Sequence, residues 1–508
     1  MRIILTPNQM RQIDSRAINE FSVPGSILME NAALNSSKII TNILAKLGFE
    51  NPKILVFCGS GNNGGDGFAI ARQLMSFGSV KICWIGDESK MSEETKQNFN
   101  ICKKLGISIQ HLDSIENFDK MDLDSDCVID ALIGVGGSEN IKGLALEILK
   151  IMKNYNGLKI AIDVPTGLNS ENGFASEYTF KADYTITMFA PKTGMFLNKG
   201  FDSCGKIKIA NLGVPLSIAE GYTDNYILDY ESARNLLPQR KKISSKFDYG
   251  KVVVLAGSKQ YPGAAALTAN AAIKSGAGLI YLLSTSFHSH LLPEVIPVEL
   301  ESQNDGTISK KSQTKIEEYI EKADSVIIGP GLSNNKETIS LVGDLINHFS
   351  GNKKIVLDAD GLRAVTPKLK LTENVIITPH KGEFKRVINN FDNEFTNENY
   401  YELIKEWSKK LNCIIHLKWV PSITTNGKNF YWNIYGNPGM ASGGSGDVLS
   451  GIIGGLLAQG LDTLEGAALG SFIHSKTGDF AQKLIGTNAL SASDLLAYLP
   501  YIFKRLER

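Results

Sequence analysis

Short, wholly apolar runs recur along the chain, separated by longer stretches in which apolar positions fall at helical spacing. KILVFC (53–58), VKICWIG (80–86), CVIDALIG (127–134), KIAIDVP (159–165), YTITMF (184–189) and GKIKIANLGV (205–214) form a first series. KVVVLAGS (251–258), GLIYLLST (278–285), SVIIGPGL (325–332), KKIVLDADGL (353–362), NVIITPH (374–380) and CIIHLK (413–418) form a second. Runs that are apolar at every position predict parallel strands covered on both faces, and their alternation with helical patterns predicts an α/β protein. Helices are predicted from Thr6 to Ile18, opened by Thr-Pro at N-cap and N1, and from Ser26 to Lys46. SITTNGKNFYWNI predicts a hairpin turning at Asn426-Gly427, and two helices over 445–459 and 462–483 finish the chain. Between the two series, residues 216–248 are polar and carry the basic run Arg240-Lys241-Lys242. The change of character there predicts two domains, 1–222 and 223–508.

Composition narrows the function. The 508 residues carry 53 Lys and Arg against 53 Asp and Glu. A chain without excess positive charge is poorly suited to phosphate-backbone binding, so no nucleic-acid partner is expected. No apolar stretch reaches the ~18 residues of a membrane span, and the N-terminus turns polar after five residues, too soon for a signal peptide. The six cysteines are scattered without a C-x-x-C pair; a reduced, cytoplasmic protein without a disulfide framework is expected. Glycine is the outlier, with 48 residues against 16 prolines, and several glycines arrive in tight clusters.

The first cluster follows KILVFC and reads GSGNNGGDGFAIAR. Gly59-Ser60-Gly61-Asn62-Asn63-Gly64 satisfies G-x-G-x-x-G between a predicted strand and helix, with acidic Asp87 after the next strand. That is the dinucleotide fingerprint of dehydrogenases. Two features oppose it. Asp66 falls in the first helical turn, where its carboxylate would compete with a pyrophosphate for the positive helix end. Asn62 and Asn63 place amide side chains in the loop, a choice suited to a polar ligand or a cation. GSGNNGGDGFAIAR, together with ILMENAA (27–33), DALIGVGGSEN (130–140) and DVPTGL (163–168), resembles the epimerase domain of bifunctional NAD(P)H-hydrate repair enzymes. The resemblance implies a Rossmann-like three-layer domain that interconverts the C6 epimers of hydrated NADH or NADPH, NADHX and NADPHX. It places substrate on Asn62, Asn63, Gly64, Gly65 and Asp66, on Gly134, Val135, Gly136, Gly137, Ser138, Glu139 and Asn140, and on Asp163. It also implies a potassium ion on Asn63, Asp130 and Thr166, oxygen donors that suit a hard cation. Asp163, at a strand end, is the candidate acid or base; before Pro165 it could also serve as a turn-capping carboxylate.

The second cluster, GNPGMASGGSGDVLSGIIGGLLAQG (436–460), sets Gly443-Gly444-Ser445-Gly446 ahead of Asp447 and an apolar helix. Consecutive small residues let backbone N–H groups converge on an anion, and an Asp there can take a proton from a substrate hydroxyl. A glycine-rich packing face with Asp447 as N-cap is the plainer reading. No GxxxxGK[ST] occurs, so this is not a P-loop enzyme. With YGKVVVLAGS, YPGAAALTANAAIKSGAGL, IIGPGL, VLDADGL and TPHKGEF in order ahead of it, the section from about 240 to 505 resembles the ribokinase-like α/β/α NAD(P)H-hydrate dehydratase domain. The resemblance places the hydrate on Ala264, Gly331, His380 and Asp447, and the nucleotide on Lys418, Trp419, Val420, Pro421, Ser422 and Gly446. It implies ADP with Mg2+ as phosphoryl donor, Asp447 as the base, and assembly into a homo-oligomer.

The chain departs from that pattern at Lys418-Trp419-Val420-Pro421-Ser422, where the family's loop is glycine-rich. Lys418 and Ser422 keep the polar ends, so nucleotide binding is expected to persist. Ser245-Lys246-Phe247 likewise stands for the usual His-Lys-Gly. Asp358 and Asp360 suit either magnesium or polar loop contacts, His380 could be a loop histidine, and His416 reads as structural. The competing functional reading is a vitamin or sugar kinase in the C-terminal half joined to a non-catalytic ligand-binding N-terminal module.

Overall fold

The computed structural model describes the chain except residues 115–116, 118–122, 138, 392, 396–398 and 508. It divides into two compact units, Ile3–Thr223, and Asp224–Arg508 with Met1–Arg2. No helix among the described residues is long and apolar enough to cross a membrane.

The first unit is a Rossmann-like three-layer domain. Its seven-stranded sheet runs in the order Ser108–His111, Ser79–Trp84, Lys53–Cys58, Cys127–Ala131, Leu158–Ile162, Tyr184–Met188, Lys206–Ala210, with every pairing parallel. The apolar runs are apolar throughout because both sheet faces are covered. Ile54, Val56 and Cys58 enter one core with the Asn62–Leu74 helix, while Leu55 and Phe57 enter the other. Strand order reverses at Lys53–Cys58, which pairs with Ser79–Trp84 on one side and Cys127–Ala131 on the other. Loops leaving two neighbouring strands in opposite directions open a crevice at such a switch point. The N-terminal helix spans Pro7–Asn19, with Thr6 accepting from the Gln9 N–H and Gln9 reaching back to the Thr6 N–H, a capping box.

The second unit is a ribokinase-like α/β/α domain. Its sheet is parallel from Val295–Glu299 through Leu279–Ser284, Lys251–Leu255, Ser325–Ile328, Lys354–Leu357 and Val375–Ile377 to Ile414–Leu417. The predicted hairpin, Ser422–Thr425 with Phe430–Asn433, then continues it antiparallel. Gly427 takes the left-handed conformation (φ +79°) in that turn, which glycine adopts without a Cβ penalty.

Three features differ from the sequence expectation. Short Asn225–Ile227 lies inside the stretch read as polar linker and pairs in parallel with Phe430–Asn433. The edge strands Ser108–His111 and Val295–Glu299 lack a continuous apolar run because several of their residues face solvent. A third terminal helix, Ala492–Glu507, follows the two predicted ones, which span Ser445–Ala458 and Thr463–Ile485. It buries Leu495, Leu499, Ile502 and Leu506 on one stripe despite an internal Pro500.

Glycine also governs how the helices beside this sheet approach each other. A Cβ at Gly451 would lie 2.2 Å from the Thr268 carbonyl oxygen, and one at Gly455 2.7 Å from that of Ala272. The alanine-rich Pro262–Lys274 helix therefore rests backbone to backbone on Ser445–Ala458. Gly451→Ala is expected to destabilise the second unit by about 1–3 kcal/mol through overpacking, read as a lower midpoint in thermal denaturation followed by circular dichroism.

Candidate functional site

A cavity of about 890 Å³ opens at the switch point of the first unit. Asn62, Asn63, Asp66, Gly134, Val135, Gly136 and Asp163 line it. Gly64 and Gly65 do not: a Cβ at Gly64 would lie 1.8 Å from the Gly59 carbonyl oxygen, and one at Gly65 2.5 Å from Thr95 Oγ1. These two glycines let the loop and helix pack. Gly137, Glu139 and Asn140 also lie away from the lining; Gly137 donates to the Gly134 carbonyl (2.9 Å), and Glu139 accepts from Asn169 (3.1 Å). Ser138 lies outside the described residues.

Asp163 follows the Leu158–Ile162 strand in the left-handed conformation (φ +64°), uncommon for a non-glycine residue and often tied to function. Its Oδ1 accepts from Lys192 Nζ (2.5 Å) and from Thr187 Oγ1 (3.3 Å). Lys192 is fully buried and also donates to Thr187 Oγ1 (2.9 Å) and the Met188 carbonyl (3.2 Å). A Cβ at Gly134 would sit 3.1 Å from Asn63 Oδ1 and 3.2 Å from Asp163 Oδ2. The absence of a side chain at Gly134 is what lets the amide and the carboxylate converge. Neither polar atom of the buried Asn63 amide has a hydrogen-bond partner, an unpaired state that costs free energy unless a ligand relieves it. Beneath this loop, Asp130 accepts from the Thr166 N–H (2.8 Å) and Thr166 Oγ1 (2.7 Å). Burial raises the Asp130 carboxyl to about 6 against these hydrogen bonds, and burial pushes Asp66 well above the usual carboxylate range.

The second unit gathers a charged cluster at the carboxyl ends of its central strands. Asp358, 1% exposed, accepts from Lys418 Nζ (2.7 Å) on Oδ1 and from Ser450 Oγ (2.6 Å) on Oδ2. Although burial opposes it, the Lys418 ammonium and the hydrogen bonds hold this carboxyl below its usual range. The Lys418 N–H donates to the Pro379 carbonyl (2.9 Å), which brings His380 alongside. His380 is the N-cap of the Lys381–Asn389 helix, its Nδ1 accepting from the Gly382 N–H (3.0 Å) and the Glu383 N–H (3.3 Å). Gly446 faces the pair, since a Cβ there would be 3.3 Å from Lys418 Nζ. Asp447 stands in the first turn of the Ser445–Ala458 helix, where burial first, then the Asp358 charge, raise its carboxyl to about 7. Gly331 and Ala264 meet each other, a Cβ at Gly331 falling 3.1 Å from that of Ala264. Asp360 is taken up by Arg363 (3.2 Å) and the Ser333 N–H (2.9 Å).

In the loop that departs from the glycine-rich pattern, Trp419 is 49% and Val420 65% exposed. Lys381 Nζ lies 3.7 Å from the Trp419 ring centroid, a cation–π contact. Pro421 follows a cis bond, and Ser422 Oγ lies 3.2 Å from Ser471 Oγ. His416 is buried against Thr424 Oγ1 (2.8 Å), and burial drives its imidazole down to about 3, so it is a neutral structural histidine.

Residues 25–194 match the family described as YjeF-related protein N-terminus, and residues 252–501 the family described as NAD(P)H-hydrate dehydratase. The chain is 31% identical over 521 residues to a bifunctional NAD(P)H-hydrate repair enzyme of Moorella thermoacetica, covering 99% of this chain and 97% of that relative. This chain belongs to the bifunctional NAD(P)H-hydrate repair enzymes. A second member, from Dictyoglomus turgidum, is 32% identical over 515 residues, covering 98% and 97%. Among solved structures, an ADP/ATP-dependent NAD(P)H-hydrate dehydratase from Bacillus subtilis co-crystallized with ATP/Mg2+ is 28% identical and covers 55% of this chain and 98% of that one, with a TM-score of 0.45.

Sequence reasoning missed Lys192 and Asp14, both of which line the repair enzyme's first cavity. The signal for Lys192 was a single lysine closing the apolar stretch YTITMFAPK, since a cation inside such a run needs a buried partner. The raised Asp447 carboxyl makes stability depend on pH. Its folded state holds a proton that the unfolded chain releases near pH 4, so ionisation of this group costs stability as pH rises from about 4 to 7. Asp447→Asn is expected to increase unfolding free energy at pH 8 by roughly 2 kcal/mol or more, with the gain shrinking toward pH 4 in urea titrations.

Proposed function

We propose that residues 1–222 epimerise C6-hydrated NADH and NADPH and that residues 223–508 return the S epimer to NAD(P)H at the expense of ADP, releasing AMP and phosphate. The observation that carries the reading is Asp447: a carboxyl raised to about 7, at the N-terminus of a helix opened by three small residues. A base whose pKa lies near the working pH is best placed to accept a hydroxyl proton. Asp447 takes the proton of the C6 hydroxyl as the β-phosphoryl group of ADP transfers to that oxygen. Phosphate then leaves with the C6–O bond, the ring nitrogen contributes its lone pair, and loss of the C5 proton restores the double bond. Backbone N–H groups of the Gly443–Gly446 turn and the Lys418 ammonium face the transferring phosphoryl group, and Gly446 leaves room for it. Ala264, Gly331 and His380 border the hydrate, and Trp419, Val420, Pro421 and Ser422 the nucleotide.

Mg2+ arriving with ADP supplies charge neutralisation on the phosphates. Asp358 and Asp360 are committed to protein partners, so the reading gives them the polar loop role. In the first module Asp163 is the acid or base. A potassium ion would be held by the unpaired Asn63 amide oxygen with Asp130 and Thr166, whose oxygens are otherwise taken up in hydrogen bonds between the two residues; it would supply positive charge to those hard oxygen donors. The free cysteines, all buried, suit the reducing cytoplasm.

Incubation with hydrated NADH and ADP is expected to restore absorbance at 340 nm. Asp447→Asn should abolish the recovery and keep epimerisation, whereas Asp163→Asn should permit recovery from the S epimer only. Absence of NADH with either ADP or ATP would overturn the dehydratase assignment.

A further inference from the structure

The first cavity holds more acid than the mechanism above uses. Asp14 lines it from the Pro7–Asn19 helix, together with Met10 and Ile18 one turn to either side, a spacing that puts all three on one helix face. Asp163 enters from the strand ends instead, with Oδ1 tied to Lys192 (2.5 Å) and Oδ2 turned toward Gly134. The two carboxyls thus come from different walls of one cavity, and only Asp163 has the ammonium within hydrogen-bonding distance. Inversion of C6 by exchange of its hydroxyl takes that group from one face and adds a water oxygen to the other, a course that an acid and a base placed on two sides of the ring would serve.

We infer that Asp14 is the second catalytic group of the epimerase reaction, the acid that protonates the departing C6 hydroxyl, while Asp163, held by Lys192 as its positioning residue, accepts a proton from the incoming water. The inference rests on the epimerase reading of the first module. The C6–O bond breaks as the ring-nitrogen lone pair forms an N1=C6 iminium, and the hydroxyl leaves as water with the Asp14 proton. A water then adds to the other face of C6, its proton passes to Asp163, and the nitrogen regains its lone pair. Nothing is oxidised or reduced; solvent carries the proton from Asp163 back to Asp14, and the reverse inversion runs with the roles exchanged.

The electrostatics support these roles. Burial raises the Asp14 carboxyl to about 6, with Lys192 pulling it down and Asp163 pushing it up. The other charged groups on the cavity wall are Arg11, Asp66, Glu94 and Lys142. An acid that must be protonated loses competence as pH rises, so wild-type kcat/KM for epimerisation should fall above about pH 6.

The test uses the full chain and the purified R epimer, with S-epimer consumption by ADP as an internal control. Asp14→Asn is expected to slow R-to-S conversion about 100-fold or more and to abolish the alkaline fall, leaving S-epimer consumption unchanged. Asp14→Glu should retain measurable conversion with the alkaline fall. In H218O, each inverted molecule should carry one solvent oxygen at C6. Wild-type speed in Asp14→Asn, equal loss in the Asn and Glu variants, or inversion with retention of the original oxygen would each overturn the inference. A wild-type chain that consumes the S epimer but never converts the R epimer would instead overturn the epimerase reading beneath it.

Discussion

Asp358 follows the Lys354–Leu357 strand with almost no access to water, and its charge persists there because Lys418 reaches it from beyond the Ile414–Leu417 strand (2.7 Å). A lone buried carboxylate would take up a proton, and a lone buried ammonium would lose one. Each group therefore stabilises the charged form of the other, and Ser450 completes the carboxylate's hydrogen bonding from the helix that carries Asp447. The pair fixes the field in which Asp447 titrates: burial and the Asp358 charge lift its carboxyl, and the Lys418 cation restrains it. The first unit meets the same constraint with Lys192 and Asp163. In both places the sheet delivers an acid to a strand end, and a lysine distant in sequence donates a hydrogen bond to it.

This pairing also explains what the sequence could and could not reveal. Parallel strands were legible because burial on both faces leaves a continuous apolar run, as with Leu55 and Val56 entering opposite cores. Edge strands such as Ser108–His111 were not, because half-exposed residues erase that run. The Ala492–Glu507 helix was hidden by Pro500, although its leucines kept helical spacing. In the first cavity, Asn62, Asn63 and Asp66 were legible as lining residues from the glycine cluster around them, although Gly64 and Gly65 of that cluster do not line it. Lys192 and Asp14 were not, since each acquires its meaning only from groups brought in by the fold: Lys192 from Asp163, 29 positions earlier, and Asp14 from the cavity wall. No local pattern encodes a distance of that kind.

The G-x-G-x-x-G match shows how one loop geometry can host different chemistry. Gly64 is required because its Cβ would strike the Gly59 carbonyl at 1.8 Å, so the tight turn shared with dehydrogenase loops is present. A charged Asp66 would compete with a pyrophosphate, but burial holds that carboxyl toward its neutral form, and charge competition is therefore the weaker objection. The stronger one is steric and polar. Asp66 and Asn63 line the crevice at the turn where a fingerprint loop would offer bare backbone, and the Asn63 amide is buried there with no protein partner. A neutral carboxyl can donate a hydrogen bond that a carboxylate cannot, and a primary amide can both donate and accept. The loop is thus equipped to grip hydroxyl and carboxamide groups or a cation. On a tight turn of this geometry, side chains in place of bare backbone favour hydroxyl and carboxamide groups over a cofactor's phosphates.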